Sequence, residues 1–205
     1  MMADIIVPGG PRTDIESLYR QFDGGAYEAL TVSLAPFDDT TGAPIFMDVV
    51  HHEVHEGEMF HAAYTNGSVA NGASLDMMLT TGAKEAHTSW EEVAGGLVTV
   101  YLYEGVTTSA EGTAVTAYNM HRGKVNTPTG TVTHTPTVTA TGTTALINGR
   151  ILPGGTSPQT RVGGGIRSGS EWILEPSTKY LMRVTNGSGA AIAVNVVLEW
   201  YEEDV

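Results

Sequence analysis

The chain predicts an all-β protein, a jelly-roll-like antiparallel β-sandwich with an extended N-terminal arm. Helical periodicity is nearly absent after residue 30. Short β-branched and aromatic runs recur between turn signals at Thr40-Thr-Gly42, Asn66-Gly67, Asn71-Gly72, Gly95-Gly96, Gly154-Gly155 and Gly163-Gly-Gly165. Two apolar runs near the C-terminus flank Gly187-Ser-Gly189 and read as a closing hairpin over Tyr180–Asn186 and Ala190–Tyr201. In the second run Ile192, Val194, Val196, Leu198 and Trp200 recur at every second position, which gives the strand one apolar face and leaves Asn195 and Glu199 on the other.

The elements follow in chain order. Pro8-Gly-Gly-Pro11 excludes regular structure. Thr13–Phe22 suits a short helix with Thr13 as N-cap and Ile15, Leu18 and Phe22 on one face, stopped by Asp23-Gly-Gly25. Residues 1–28 are thus read as an arm or anchor, and residues 29–205 as the β-sandwich domain. Strands are expected at Ala29–Leu34, Ile45–Glu53, Met59–Thr65, Ser74–Leu79, His87–Val93, Leu97–Tyr103, Ala114–Met120, Thr131–Ala140, Thr144–Ile151 and Arg167–Leu174. The Thr-rich run Thr127–Thr144 carries Pro128 and Pro136, which bar a central ladder position, so it reads as an extended loop and an edge strand.

Bulk composition narrows the function. The net charge is -13 and only 16% of residues are charged, which argues against nucleic acid and against an anionic membrane surface. Cysteine is absent, so no thiol chemistry or disulfide is involved. No apolar run approaches the roughly 20 residues that span a bilayer. No signal peptide is evident, so synthesis in a cytoplasm is expected.

Histidine and carboxylate are dense in Val50–His61, with His51, His52, His55, His61, Glu53, Glu56 and Glu58. On a strand, His51, Glu53 and His55 would share one face. The match to a cupin is partial, because His51, His52 and His55 lack its two histidines separated by one intervening residue, and His-Glu-x-x-His starting from His52 is one residue too short. A distant His121 or His134 could complete a site, but nothing requires it. These histidines are read as polar strand-face or interface residues, with no metal ligand and no catalytic residue expected in the chain. Gly-x-Ser-x-Gly is absent. Gly163–Gly169 lacks the Gly-Lys-Ser/Thr ending of a phosphate loop and reads as a flexible loop. Glu91-Glu92 and Glu202-Glu-Asp204 read as solvated turn and tail charges. Tyr118-Asn-Met-His-Arg122 reads as a loop held by side-chain hydrogen bonds, with Arg122 placed to meet a carboxylate. Trp172, Tyr180, Trp200 and Tyr201 lie in strand-like runs and read as core or sheet-face residues.

The segments His51–His61, Tyr118–Arg122, Glu171–Asn186 and Leu198–Glu202 resemble small virion proteins of tailed bacteriophages, the head decoration or cement proteins with a jelly-roll body. The resemblance covers most of residues 45–202. It implies a non-enzymatic structural protein on the outer capsid surface, bound to the major capsid protein, self-associated as a homo-oligomer (a trimer first), anchored by its N-terminal arm and made in the host bacterial cytoplasm. It implies no cofactor. Two alternatives stand beside it: a tail or fibre module that binds host glycans, and a cupin-like metal-binding enzyme.

Overall fold

Alternation of apolar and polar residues with period two buries one face of each segment, and strands result. The structure, a computed structural model, describes residues 18–21, 27–30, 48–154, 162–165 and 171–204, with side chains over 48–154 and 171–204. Contacts divide the chain into two units, Met1–Asp48 and Val49–Val205.

The first unit holds β1 (Leu18–Gln21) and β2 (Tyr27–Leu30), paired antiparallel with Arg20 opposite Glu28. The helix expected over Thr13–Phe22 is therefore a strand through Leu18–Gln21. An isolated helix that short is marginal in water, and a neighbouring strand satisfies the same backbone groups. The Pro8–Pro11 stretch, residues 13–17, 31–34 and 45–47, and the Thr40–Gly42 turn lie outside the described residues.

The second unit opens with α1 (Val49–Glu56) and β3 (Met59–Val69). It continues through β4 (Ser74–Thr80), β5 (Glu85–Ala94) and β6 (Val98–Glu104). Then come β7 (Thr107–Ala110), β8 (Thr113–Ala114), β9 (Tyr118–Asn119), β10 (Thr131–His134) and β11 (Thr137–Ala140). The chain closes with β12 (Thr144–Leu152), β13 (Val162–Gly165), β14 (Trp172–Leu174), β15 (Lys179–Asn186) and β16 (Ile192–Glu203).

Pairing is nested. β3 pairs β16, β4 pairs β15, β5 pairs β13 and β14, and β6 pairs β12, all antiparallel. This is one long ribbon wound over on itself. Winding adds the pairings β15 with β6 and β16 with β5. The result is two sheets with frames β12-β6-β15-β4 and β13-β5-β16-β3, the strand order of a jelly roll.

The expected closing hairpin is corrected by this pairing. β15 and β16 flank Gly187-Ser-Gly189 but belong to opposite sheets, so the turn is an arch from one layer to the other. The apolar face itself stands where expected: Val194, Val196, Leu198 and Trp200 are fully buried, while Asn195 and Glu199 stay half-buried on the other side. Across the sandwich they meet Leu75, Met77, Leu79, Val98, Val100, Leu102, Tyr180, Met182 and Val184. Burial of each large apolar side chain contributes about 1.5–3 kcal/mol. Phe60 and Trp200 pack with ring centroids 5.6 Å apart.

Three further expectations change. The strand expected over Ile45–Glu53 is helix from Val49 onward. The strand expected over Ala114–Met120 is two short pieces in different sheets, with β8 beside β10 and β9 beside β3. The Thr131–Ala140 run breaks at Thr135, whose φ of 54° precedes Pro136, so β10 enters the ladder between β4 and β8 while β11 pairs with β7. The other strands from Met59–Thr65 to Leu97–Tyr103, and that at Thr144–Ile151, form within a few residues of their expected bounds. Of the strand expected at Arg167–Leu174, only Trp172–Leu174 is a described strand.

Residues 105–143 are an insertion in the hairpin between β6 and β12. Its ribbon, β7 with β11, covers the outer side of the first sheet, where Val106 and Val138 pack on Met78 and Leu181. The insertion re-enters at Gly142, with φ of 77°, where any Cβ would collide with the Glu104 carbonyl oxygen.

The core also sets an alkaline limit. The Tyr180 hydroxyl donates to Glu104 Oε1 at 3.1 Å and accepts from the Glu175 amide at 2.9 Å. Burial pushes its phenol up to about 12. An unfolded tyrosine ionises near pH 10. Below about pH 10 both states keep the proton and the full contribution to stability is present. As pH rises from about 10 to about 12, only the unfolded state releases it, and stability falls. Urea midpoints measured between pH 9 and 12 should decline for the wild type and less steeply for Tyr180→Phe.

Candidate functional site

Local chemistry explains α1. Asp48 occupies the N-cap position, and Gly57, with φ of 78°, supplies the left-handed residue after the last turn. The Glu58 amide donates to the Glu53 carbonyl at 2.9 Å and the Gly57 amide to the Val54 carbonyl at 3.2 Å, a Schellman ending. None of the helix's residues is buried, which is why no apolar stripe announced it.

The helix rearranges the histidines. His51 and His55 fall on one stripe, four residues apart, with Nε2 atoms 3.0 Å apart and rings edge to face at 4.7 Å. His52 lies off that stripe and pairs through Nδ1 with Glu53 Oε1 at 3.0 Å. That hydrogen bond raises the His52 pKa above its ordinary value. His61 is separate, on β3, with Nδ1 3.4 Å from Glu199 Oε1 of β16.

Tyr118–Arg122 is held by side-chain hydrogen bonds, as its composition suggests. Asn119 Nδ2 donates to the Gly57 carbonyl at 2.6 Å and the Asn126 carbonyl at 3.3 Å, and its Oδ1 accepts the His121 amide at 2.8 Å. Asn126 Nδ2 donates to Glu58 Oε1 at 2.7 Å. Asn119 thus ties the end of α1 to the loop. The carboxylate partner foreseen for Arg122 gives way to the Tyr118 ring at 5.7 Å and the Asn119 carbonyl at 3.4 Å. On this tied loop Tyr118 is 54% exposed, Met120 38% and Val125 91%.

A second histidine lies on the outer face of the sheet containing β5 and β16. His87 Nδ1 is 3.2 Å from Glu171 Oε1, its Nε2 is 3.6 Å from Glu203 Oε2, and its ring stacks on Tyr201 at 4.5 Å. The Tyr201 hydroxyl donates to Glu171 Oε1 at 3.2 Å. Burial, with Glu171 alongside, pushes that phenol well up. Period-two placement puts His61, Glu199, His87, Tyr201 and Glu203 on this one face. His134 is elsewhere, stacked on Tyr64 at 3.7 Å.

Two acidic pairs depart from the solvated reading. Glu202 is buried and accepts from the Thr129 amide at 2.8 Å, the Thr129 hydroxyl at 2.7 Å, the Gly130 amide at 3.0 Å and Trp200 Nε1 at 3.3 Å. Glu92 is fully buried on β5 and forms an ion pair with Arg150 of β12, bridging the two sheets. Burial lowers the Arg150 pKa. Glu91 and Asp204 are exposed, as expected. The glycine run also changes: Val162–Gly165 is a strand paired antiparallel with β5. Its continuation to Gly169 lies outside the described residues. Trp172 packs against the core, and Tyr180, Trp200 and Tyr201 are buried in or beside it.

Among the described residues no three His, Asp or Glu side chains converge as a metal-holding group, and no helix is long and apolar enough to cross a membrane. Two surfaces stand out among the described residues: an acidic, histidine-bearing sheet face and a loop tied by Asn119 that carries exposed apolar side chains. No protein-family model matches the chain, and no curated protein matches its sequence.

Proposed function

We propose that this chain is a structural virion protein that binds the outer surface of a bacteriophage capsid and bridges major capsid proteins, as a decoration or cement protein. The observation that carries the reading is the exposure of Tyr118, Met120 and Val125 on a loop pinned by Asn119. Large apolar side chains held rigid in water suit burial against another protein, because little conformational entropy remains to be lost on docking. The jelly-roll body and the resemblance to head decoration proteins agree with this role. A protein that binds the closed lattice and not its separated subunits stabilises it by mass action, and many copies multiply a modest contribution. The partners are the major capsid protein and further copies of this chain, a trimer first. Nucleic acid and membrane are not among them.

The test is the copy number in purified particles, by quantitative mass spectrometry against the major shell protein. A ratio of the same order as the shell protein is expected, and absence from particles would overturn the reading. Deleting Met1–Asp48, the separate first unit, should leave the body's circular dichroism unchanged and weaken attachment to shells. Attachment equal to that of the full chain would exclude the arm as anchor.

One observation favours the glycan-binding tail or fibre module as a second reading. Tyr101 and Tyr103 of β6 stack nearly parallel at 5.4 Å beside the Arg183–Asp76 pair, and sugars bind such aromatic platforms flanked by polar groups. A handful of copies per particle would favour it. The cupin-like reading asks for histidines inside the barrel, whereas His51, His52 and His55 stand on a helix with no buried residue.

A further inference from the structure

We propose that His51 and His55 form a two-histidine binding site for a divalent transition-metal ion such as zinc(II) or copper(II), with the remaining coordination positions open to solvent. The argument is independent of the virion role. Imidazole nitrogens bind zinc at about 2.0–2.1 Å. Two such bonds at angles between a right angle and the tetrahedral value place the donors about 2.9–3.4 Å apart by simple trigonometry on those lengths. The two Nε2 atoms are 3.0 Å apart, within that window. That approach is a hydrogen bond between the two imidazoles, so the chain holds both nitrogens at the separation of neighbouring ligands, and a metal would take the place of the shared proton.

The spacing has a physical reason. Residues four apart on a helix face the same way, which is how paired histidines of helical zinc sites meet one ion. The sequence read as a strand gave a different grouping, His51 with Glu53 and His55. On the helix Glu53 leaves the pair and hydrogen-bonds His52. The position after His51, where the metalloprotease pattern carries its general-base glutamate, holds His52. The pair is thus a binding site without the partner needed for hydrolysis. Two nitrogen donors select borderline ions over magnesium and calcium, which take oxygen ligands.

Both rings are exposed on a helix with no buried residue, so their removal should not disturb the core. Each ring must offer a free lone pair to bind, so protons compete with the metal.

Calorimetric titration of the full chain with zinc(II), copper(II) and magnesium(II) at pH 7.5 tests the site. One zinc or copper ion per chain is expected, with no magnesium binding. His51→Ala and His55→Ala should each weaken zinc binding at least about tenfold, since loss of a ligand costs no less than loss of a supporting partner. His52→Ala, beside the pair but off its stripe, should stay within about twofold. Identical circular dichroism of all three variants establishes that the fold is kept. Zinc binding that survives His51→Ala and His55→Ala, or that His52→Ala weakens equally, would overturn the assignment, as would a wild type that binds no zinc or copper.

Discussion

Glu202→Ala is expected to lower stability by about 2–4 kcal/mol, because it strands two buried donors, the Gly130 amide and the Trp200 indole, and removes two part-buried bonds from Thr129. The Glu202 carboxylate is the common acceptor for the Thr129 amide and hydroxyl, the Gly130 amide and the Trp200 indole. Bonds to a charged acceptor are about twice as strong as neutral ones, and the alanine methyl replaces none of them. The Thr129–Gly130 segment leads into β10, and Gly82 lies so close to Thr129 that a Cβ there would overlap it. Loosening this segment therefore detaches the side of the sandwich that the insertion closes. The urea midpoint should fall while the dependence on urea concentration stays as in the wild type, and the melting temperature should drop by about 10 °C. Glu202→Gln keeps the shape but points one amine at donors, so it should recover only part of the loss. A drop under about 1 kcal/mol for alanine would mean that water replaces the carboxylate.

Asn186→Ala should cost about 2–4 kcal/mol. Asn186 is fully buried at the start of the arch between β15 and β16. Its Nδ2 donates to the Val69 carbonyl at 2.8 Å and the Ala190 carbonyl at 2.7 Å, and its Oδ1 accepts the Ser188 amide at 2.8 Å. Its backbone pairs with Gly72 and Ala73 at the turn between β3 and β4. One side chain thus fastens two layer-crossing turns to each other. Asn186→Asp keeps the shape and removes both donors, so it should destabilise at least as much as alanine. Equal urea midpoints for wild type and Asn186→Ala would show that the arch holds without it.

The same residues mark what was legible in the sequence. The alternation Val194, Val196, Leu198, Trp200 continues in step to Glu202, and Ala86, Thr88, Trp90 continues in step to Glu92. Period-two logic therefore already placed both carboxylates on core faces, and reading them as solvated charges gave composition priority over register. The ends of α1 were also written locally, in Asp48 and Gly57. What hid the helix was the lack of an apolar stripe, since it buries nothing. The arch was not legible, because Gly187-Ser-Gly189 serves a hairpin or a crossing equally well and the choice rests on β3 and β4, more than a hundred residues earlier. The split of Ala114–Met120 between sheets is equally remote in origin. Of the candidate site, the Asn119 network was readable from its residue types, but the pairing of His51 with His55 required the helix.

The nested ribbon has a consequence for synthesis. β16 lies between β5 and β3 and follows both of them by about a hundred residues or more in the chain. A nascent chain stopped before Ile192 has β3 and β5 with no shared neighbour, so one layer stays in two pieces, β5 with β13 and β14 and β3 with β9, while the residues meant to face it are already made. Domains rich in such distant pairings fold slowly and expose unpaired edges on the way. For this body the sandwich cannot close until β16 has been made, and the interval before closure is when chaperones would find it.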